Sequence, residues 1–280
     1  MKLGFVTCVQ LGFSCIQEIY NQGFTLDCIV TLPDDCSRKK SGRVYLDDFC
    51  KKNSIKLLKY KNINDSELVS IIKKMSIDWL FIIGWSQIAS ESILNSTKLG
   101  SIGIHPTLLP EGRGRASIPW TILKNKKVTG VTLFKLDQGV DTGDIINSIK
   151  IPLKTNQNAN ELYWKITEAH SKLIALEISN IFNNKITLTK QDESMATYWP
   201  GRKPEDGQLD LNDSVEKAER MIRALTKPYP GAFYICESSK KKTIIWSAEL
   251  SSEKKIDEDY LSLKFSNGYI VSNNYEIINA

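Results

Sequence analysis

The chain has 280 residues, 41% hydrophobic and 25% charged, an ordinary globular balance that allows one or two domains. Its net charge is +5, yet residues 199–280 hold 12 Lys+Arg against 13 Asp+Glu, so the carboxyl-terminal part is no basic nucleic-acid arm. No apolar run approaches the roughly 18 residues of a membrane helix, and two histidines with six cysteines lacking any C-x-x-C pair disfavour a zinc site.

Residues 3–7 read as a short strand in place of a signal peptide, which with reduced thiols predicts a cytoplasmic protein. Ile16, Ile19 and Tyr20 then set a helical spacing, and residues 26–32 form the next strand around Cys28, Ile29 and Val30. Arg38, Lys39 and Lys40, in the loop 34–42, read as a solvated charge run. A helix over 44–52, a strand over 55–58 and a helix marked by Leu68, Ile71, Ile72 and Met75 follow. Residues 79–83 are continuously apolar, as in a strand buried on both faces, and a short helix at 90–95 leads to a strand ending at His105. A helix from Pro119, a strand over 130–135, a turn over 138–144 and a strand over 145–151 come next. The amphipathic helix 160–182 carries His170, which has no partner in sequence and reads as structural.

This alternation predicts an α/β fold: a Rossmann-like, mostly parallel sheet with helices on both faces, over residues 1–195. The Pro/Gly-punctuated stretch 196–204 is a connector. Beyond it, a helix over 213–225 and several short strands make a small β-rich domain, 196–280.

Sites in such sheets open at the carboxyl ends of strands, where Gly84-Trp85-Ser86-Gln87, His105 and the loop 8–12 all fall. Residues 101–120, SIGIHPTLLPEGRGRASIPW, hold one of the two histidines, beside a glycine-rich loop with Arg113 and Arg115. A histidine titrates near neutrality, so it can take a proton or donate to a developing oxyanion. A carboxylate beside it would orient the ring. Asp141, in a glycine-flanked turn, is the best candidate, with Asp137 and Asp144 competing. Nucleophile-elbow, Walker and dinucleotide-binding glycine patterns are absent.

The stretch GIHPTLLPEGRGRASIPW, followed by TGVTLFKLDQGVDTGDII, resembles the folate-dependent formyltransferases, which share N-x-H-P-S-L-L-P-x-x-R-G and a downstream D-x-G. His105 and Asp141, 36 residues apart, match the family's histidine and aspartate. ATYWPGRKPEDGQLDL and RALTKPYPGAF resemble the connector and second domain of methionyl-tRNA and sugar-nucleotide formyltransferases. The resemblance implies attack of a primary amine on the formyl carbon of N10-formyltetrahydrofolate, without a metal. His105 would serve as base or oxyanion donor, held by Asp141. It also implies folate contacts at Trp85, Ser86, Gln87, Asp137, Gly139 and Val140. One departure stands out: the family's asparagine falls at Gly103, leaving Ser86, Gln87 or Thr107 to supply its hydrogen bond.

For the acceptor, a near-neutral second domain argues against tRNA, whose phosphates demand cations. The expectation is a dTDP- or UDP-linked amino sugar for surface polysaccharide. Arg113, Arg115, Arg223, Lys227 and Tyr229 are its candidate contacts. Methionyl-tRNA formylation is the alternative, and Gly103 motivates a third, an impaired folate- or nucleotide-binding protein. No membrane partner is expected, and homodimerisation is left open.

Overall fold

The computed structural model describes residues 1–36, 42–236 and 238–279, so the charge run Arg38, Lys39 and Lys40 lies outside the described residues. Two compact units are interleaved along the chain. Unit 1 takes Met1–Gly114, Thr129–Ile151 and Lys165–Tyr198; unit 2 takes Arg115–Val128, Pro152–Trp164 and Trp199–Ala280.

Unit 1 opens with β1 (Leu3–Val6), α1 (Gln10–Asn21), β2 (Cys28–Thr31), α2 (Asp47–Lys52), β3 (Lys56–Lys59), α3 (Ser66–Met75), β4 (Trp79–Ile82), α4 (Glu91–Leu94) and β5 (Gly100–His105). Next in chain order come β6 (Arg113–Gly114), α5 (Ser117–Leu123) of unit 2, β7 (Val128–Lys135), β8 (Ile145–Pro152) and α6 (Ala159–Phe182), whose start up to Trp164 belongs to unit 2. The seven-stranded sheet runs β3-β2-β1-β4-β5-β7-β8. Its first five strands are parallel, and β7 lies antiparallel to β5 with Thr132 opposite His105.

Every residue of β1, β2 and β4 is buried, which is why these strands are apolar without alternation: helices cover both faces. Phe5 and Phe81 stack across adjacent strands with ring centroids 5.6 Å apart. Val6, Val30, Leu80 and Ile82 belong to one apolar cluster with Leu68 and Ile72 of α3. Asp65 starts α3 by accepting the Glu67 amide, and Ser76 ends it in the left-handed conformation. At Gly12, in the first turn of α1, a Cβ would overlap Thr7 Oγ1 and approach the Ile83 carbonyl. Glycine therefore lets that helix start tightly against the carboxyl ends of β1 and β4. In α6, Leu162, Ile166, Leu173, Ile174, Ile178 and Ile181 are buried at helical spacing. His170 sits among them, fully buried, its Nδ1 2.8 Å from the Ile166 carbonyl.

After β9 (Tyr198–Trp199), unit 2 continues with α7 (Val215–Leu225), β10 (Ala232–Ile235), β11 (Lys241–Ser251), β12 (Leu261–Phe265) and β13 (Gly268–Asn279). The last four form an antiparallel sheet ordered β10-β11-β13-β12, the expected β-rich module. Ser214 caps α7 by accepting the Lys217 amide, and Val215, Ala218, Ile222 and Leu225 face inward toward α5 and the sheet. Among the described residues no helix is long and apolar enough to cross a membrane.

Candidate active site

His105 closes β5 and is 6% exposed, so its ring is fixed by protein groups and not by bulk water. Nδ1 lies 3.3 Å from Asp141 Oδ2, and Nε2 lies 2.8 Å from the Gly112 carbonyl oxygen. A neutral ring donates through one nitrogen only; protonation lets it donate to both oxygens. Asp141 Oδ2 also accepts the Gly114 amide at 2.8 Å. The carboxylate therefore joins the histidine to the glycine-rich loop.

Each partner is held by its own local structure. The segment after His105 is pinned to β7, where Thr132 Oγ1 accepts the Leu109 amide and donates to the Thr107 carbonyl. The loop carrying Gly112 is tied to Thr197: the Gly112 amide donates to Thr197 Oγ1, the Arg113 amide to the Thr197 carbonyl, and the Thr197 amide to the Pro110 carbonyl. Asp137 Oδ1 accepts the Gly139 amide and the Thr142 hydroxyl, shaping the turn that ends at Asp141. Asp141 itself has a φ of 56°, the left-handed region that a non-glycine residue seldom adopts.

The structure resolves the choice among three aspartates by contact, since Asp141 is the one placed against His105 while Asp137 serves its own turn. It corrects the expectation for Arg113. That side chain is wholly buried, and its five N–H groups are spent on Gln191 Oε1, both Glu193 carboxylate oxygens and the Tyr198 hydroxyl. The Glu193 carboxylate, ahead of Tyr198, holds this guanidinium above its ordinary pKa, so it is a structural cation and not a free anion-binding group.

Gln87 is likewise engaged. Its Oε1 accepts the Ile63 amide and the Trp85 indole N–H, and its Nε2 donates to the Lys61 carbonyl. One Nε2 hydrogen is left over from these bonds, on a side chain fixed to residues 61–63 and 85. Thr107 Oγ1 is buried and has no hydrogen-bond partner. The space beside Gly103 is filled by an apolar side chain: a Cβ there would lie 2.9 Å from Leu136 Cδ2 and 3.3 Å from Phe134 Cε1. Gly103→Asn is therefore expected to lose about 1–3 kcal/mol in a denaturant titration by overpacking, and Gly103→Asn with Leu136→Ala to regain most of it. Equal stability of wild type and the single variant would contradict this packing.

Next to this turn a cleft of about 330 Å³ opens among α4, the start of β5 and residues 135–138. Leu94, Leu99 and Leu136 line it together with Ser101, Asp137 and Gln138, and Ser101 Oγ is buried without a partner. Of the residues expected around a folate, Asp137 borders the cleft, while Val140 is 41% exposed.

The other expected substrate contacts belong to unit 2. Arg115 is exposed, its amide donating to the Trp199 carbonyl. Lys227 is also exposed, 3.9 Å from Glu276 and 4.9 Å above the Trp246 ring. Arg223 is engaged by Glu219 and the Gln157 carbonyl, which removes it as a free cation. Burial, with Tyr163 adding to it, pushes the Tyr229 hydroxyl pKa well up. No group of three or more metal-ligating side chains occurs among the described residues.

The chain has relatives among known proteins. Formyl transferase matches residues 17–178, and the formyl transferase carboxyl-terminal domain matches residues 202–278. The chain belongs to the formyl transferase family. Over 244 residues, 87% of its length, this formyltransferase is 32% identical to the bifunctional polymyxin resistance protein ArnA of Wigglesworthia glossinidia brevipalpis. The match takes in 36% of that larger relative. Methionyl-tRNA formyltransferase of Ruminiclostridium cellulolyticum is 28% identical over 282 residues, covering 97% of this chain and 90% of that protein. In fold, the formyltransferase is similar to WlaRD, a sugar 3N-formyl transferase crystallised with dTDP and 5-N-formyl-THF. The TM-score is 0.72 at 22% identity, over 100% of this chain and 98% of that one.

Proposed function

We propose that this formyltransferase moves the formyl group of N10-formyltetrahydrofolate to the amine of a dTDP- or UDP-linked amino sugar. The His105–Asp141 contact carries the reading, because formyl transfer to an amine needs a base beside a group that holds it. The folate supplies an activated formyl carbon. The amine nitrogen bonds to that carbon as its bond to N10 breaks, and the proton released by the amine passes through His105 Nε2 to N10. The Asp141 carboxylate sets the ring's orientation and favours its charged form while it holds the proton.

For His105 to accept that proton, Nε2 must exchange the Gly112 carbonyl for the substrate amine. The folate contacts we propose are Trp85, Ser86, Gln87, Asp137, Gly139 and Val140, after the carboxyl end of β4 and on the turn that carries Asp141. Exposed Arg115 and Lys227 are the cations offered to the sugar nucleotide.

The sugar-nucleotide reading is supported by the near-neutral charge of residues 199–280 and by the fold shared with WlaRD, a sugar formyltransferase crystallised with dTDP. Methionyl-tRNA is the second reading, favoured by the relative that matches nearly the whole chain. Purified protein should be incubated with formyl-folate and a panel of dTDP- and UDP-amino sugars, with methionyl-tRNA alongside. Release of tetrahydrofolate together with a formylated sugar nucleotide is the expected result. Formylation of methionyl-tRNA alone would replace the acceptor, and folate binding without transfer to any amine would favour the impaired reading that the leucine-filled space beside Gly103 allows.

A further inference from the structure

We propose that Gln191 is a positioning residue for Asp141, a splint between the buried Arg113 guanidinium and the turn that carries the carboxylate. The inference rests on the reading of Asp141 as the partner of the reacting histidine. Gln191 Oε1 accepts from Arg113 Nε at 3.2 Å and Nη2 at 2.8 Å. Its Nε2 donates to the Asp141 carbonyl at 2.9 Å and the Gly143 carbonyl at 2.7 Å. All four hydrogen-bonding capacities of the amide are filled. The guanidinium admits only the oxygen and the two carbonyls admit only the nitrogen, so the amide has one orientation.

That fixed donor meets the backbone where support is needed. Asp141 is in the left-handed conformation, which costs a non-glycine residue on the order of 1 kcal/mol or more and persists when its surroundings over-determine it. Asp137 ties the start of the turn through Gly139 and Thr142; Gln191 ties its end. Arg113 in turn is clamped by Glu193 and Tyr198, so the splint has a rigid base. The same strand segment, through the Gly114 amide, touches the other end of Asp141 at Oδ2. Arg113 thus reaches the Asp141 main chain through Gln191, while the next residue, Gly114, meets its carboxylate.

Gln191→Glu separates positioning from mere packing. It keeps the size and strengthens the bond to Arg113, but sets an oxygen against the Asp141 and Gly143 carbonyls. Expected is a kcat for formyl transfer lowered by about 100-fold with little change in KM for the amine. A crystal structure of the variant should show the Asp141 carboxylate withdrawn from His105 by about 1 Å or more. Gln191→Met, which drops all four bonds, should do the same. A variant crystal structure with the carboxylate still against His105 overturns the proposal, as does wild-type kcat in Gln191→Glu. If the wild-type protein transfers formyl to no amine, the functional reading fails, and the crystallographic comparison alone decides the role of Gln191.

Discussion

Asp141→Asn should lower kcat by about 10²- to 10⁴-fold with KM for both substrates nearly unchanged. The substitution is chosen because asparagine tolerates the left-handed backbone that Asp141 adopts, so the turn is retained. The oxygen that accepts the Gly114 amide is also the one facing His105 Nδ1, so an asparagine carbonyl in that place keeps both contacts and removes only the negative charge. What is lost is the charge that stabilises imidazolium as the proton is taken up. His105→Ala should lose activity to a similar degree. Steady-state kinetics with the acceptor found in the transfer screen check both. A fully active Asp141→Asn would remove the carboxylate from the chemistry and leave the pair as a packing contact.

Acid should destabilise the protein through a different histidine. His170 is held neutral by burial, which lowers its pKa from 6.5 to about 4 against the opposing bond to the Ile166 carbonyl. In the unfolded chain the same side chain binds a proton at about pH 6.5. Between these two values the unfolded state carries a proton that the folded state refuses, so stability is present above pH 6.5 and is lost as pH falls toward 4. The full loss is about 3 kcal/mol. Urea midpoints at pH 7 and pH 5 should therefore differ more in the wild type than in His170→Leu. The leucine variant gives up the bond to the Ile166 carbonyl, yet it also removes the buried Nε2 that has no partner. Identical pH slopes in the two proteins would show that His170 does not carry the effect.

The parts of the fold that were legible in sequence are those whose environment is uniform. Every residue of β4 is buried, and a run of apolar residues says so directly. Strand direction leaves no such trace, which is why β7 reads as a strand but not as the antiparallel one. His105 was legible because it ends an apolar strand before prolines, and Asp141 because glycines flank it. The choice of Asp141 over Asp137 became a matter of contact only when the turn closed on itself through Thr142.

Arg113 shows where local reading stops. An arginine between two glycines looks like a mobile, solvated cation, and the groups that bury it lie about 80 residues downstream, at Gln191, Glu193 and Tyr198. Nothing in the composition of that later stretch marks Gln191 as a partner of the site. The absent side chain at Gly103 could be read from sequence; the leucine that fills its place could not, because Leu136 arrives from across the sheet.

The interleaving of the two units bears on how such a protein can be recombined. A chimera joined between Tyr198 and Trp199 would exchange α7 and the four-stranded sheet while keeping residues 115–128 and 152–164 of the original parent. α5 would then meet an α7 from another sequence, and the Trp120 indole N–H would look for the Pro200 carbonyl of a foreign chain. A single crossover thus grafts a hybrid unit 2; three separate stretches of sequence must travel together to transplant an intact one.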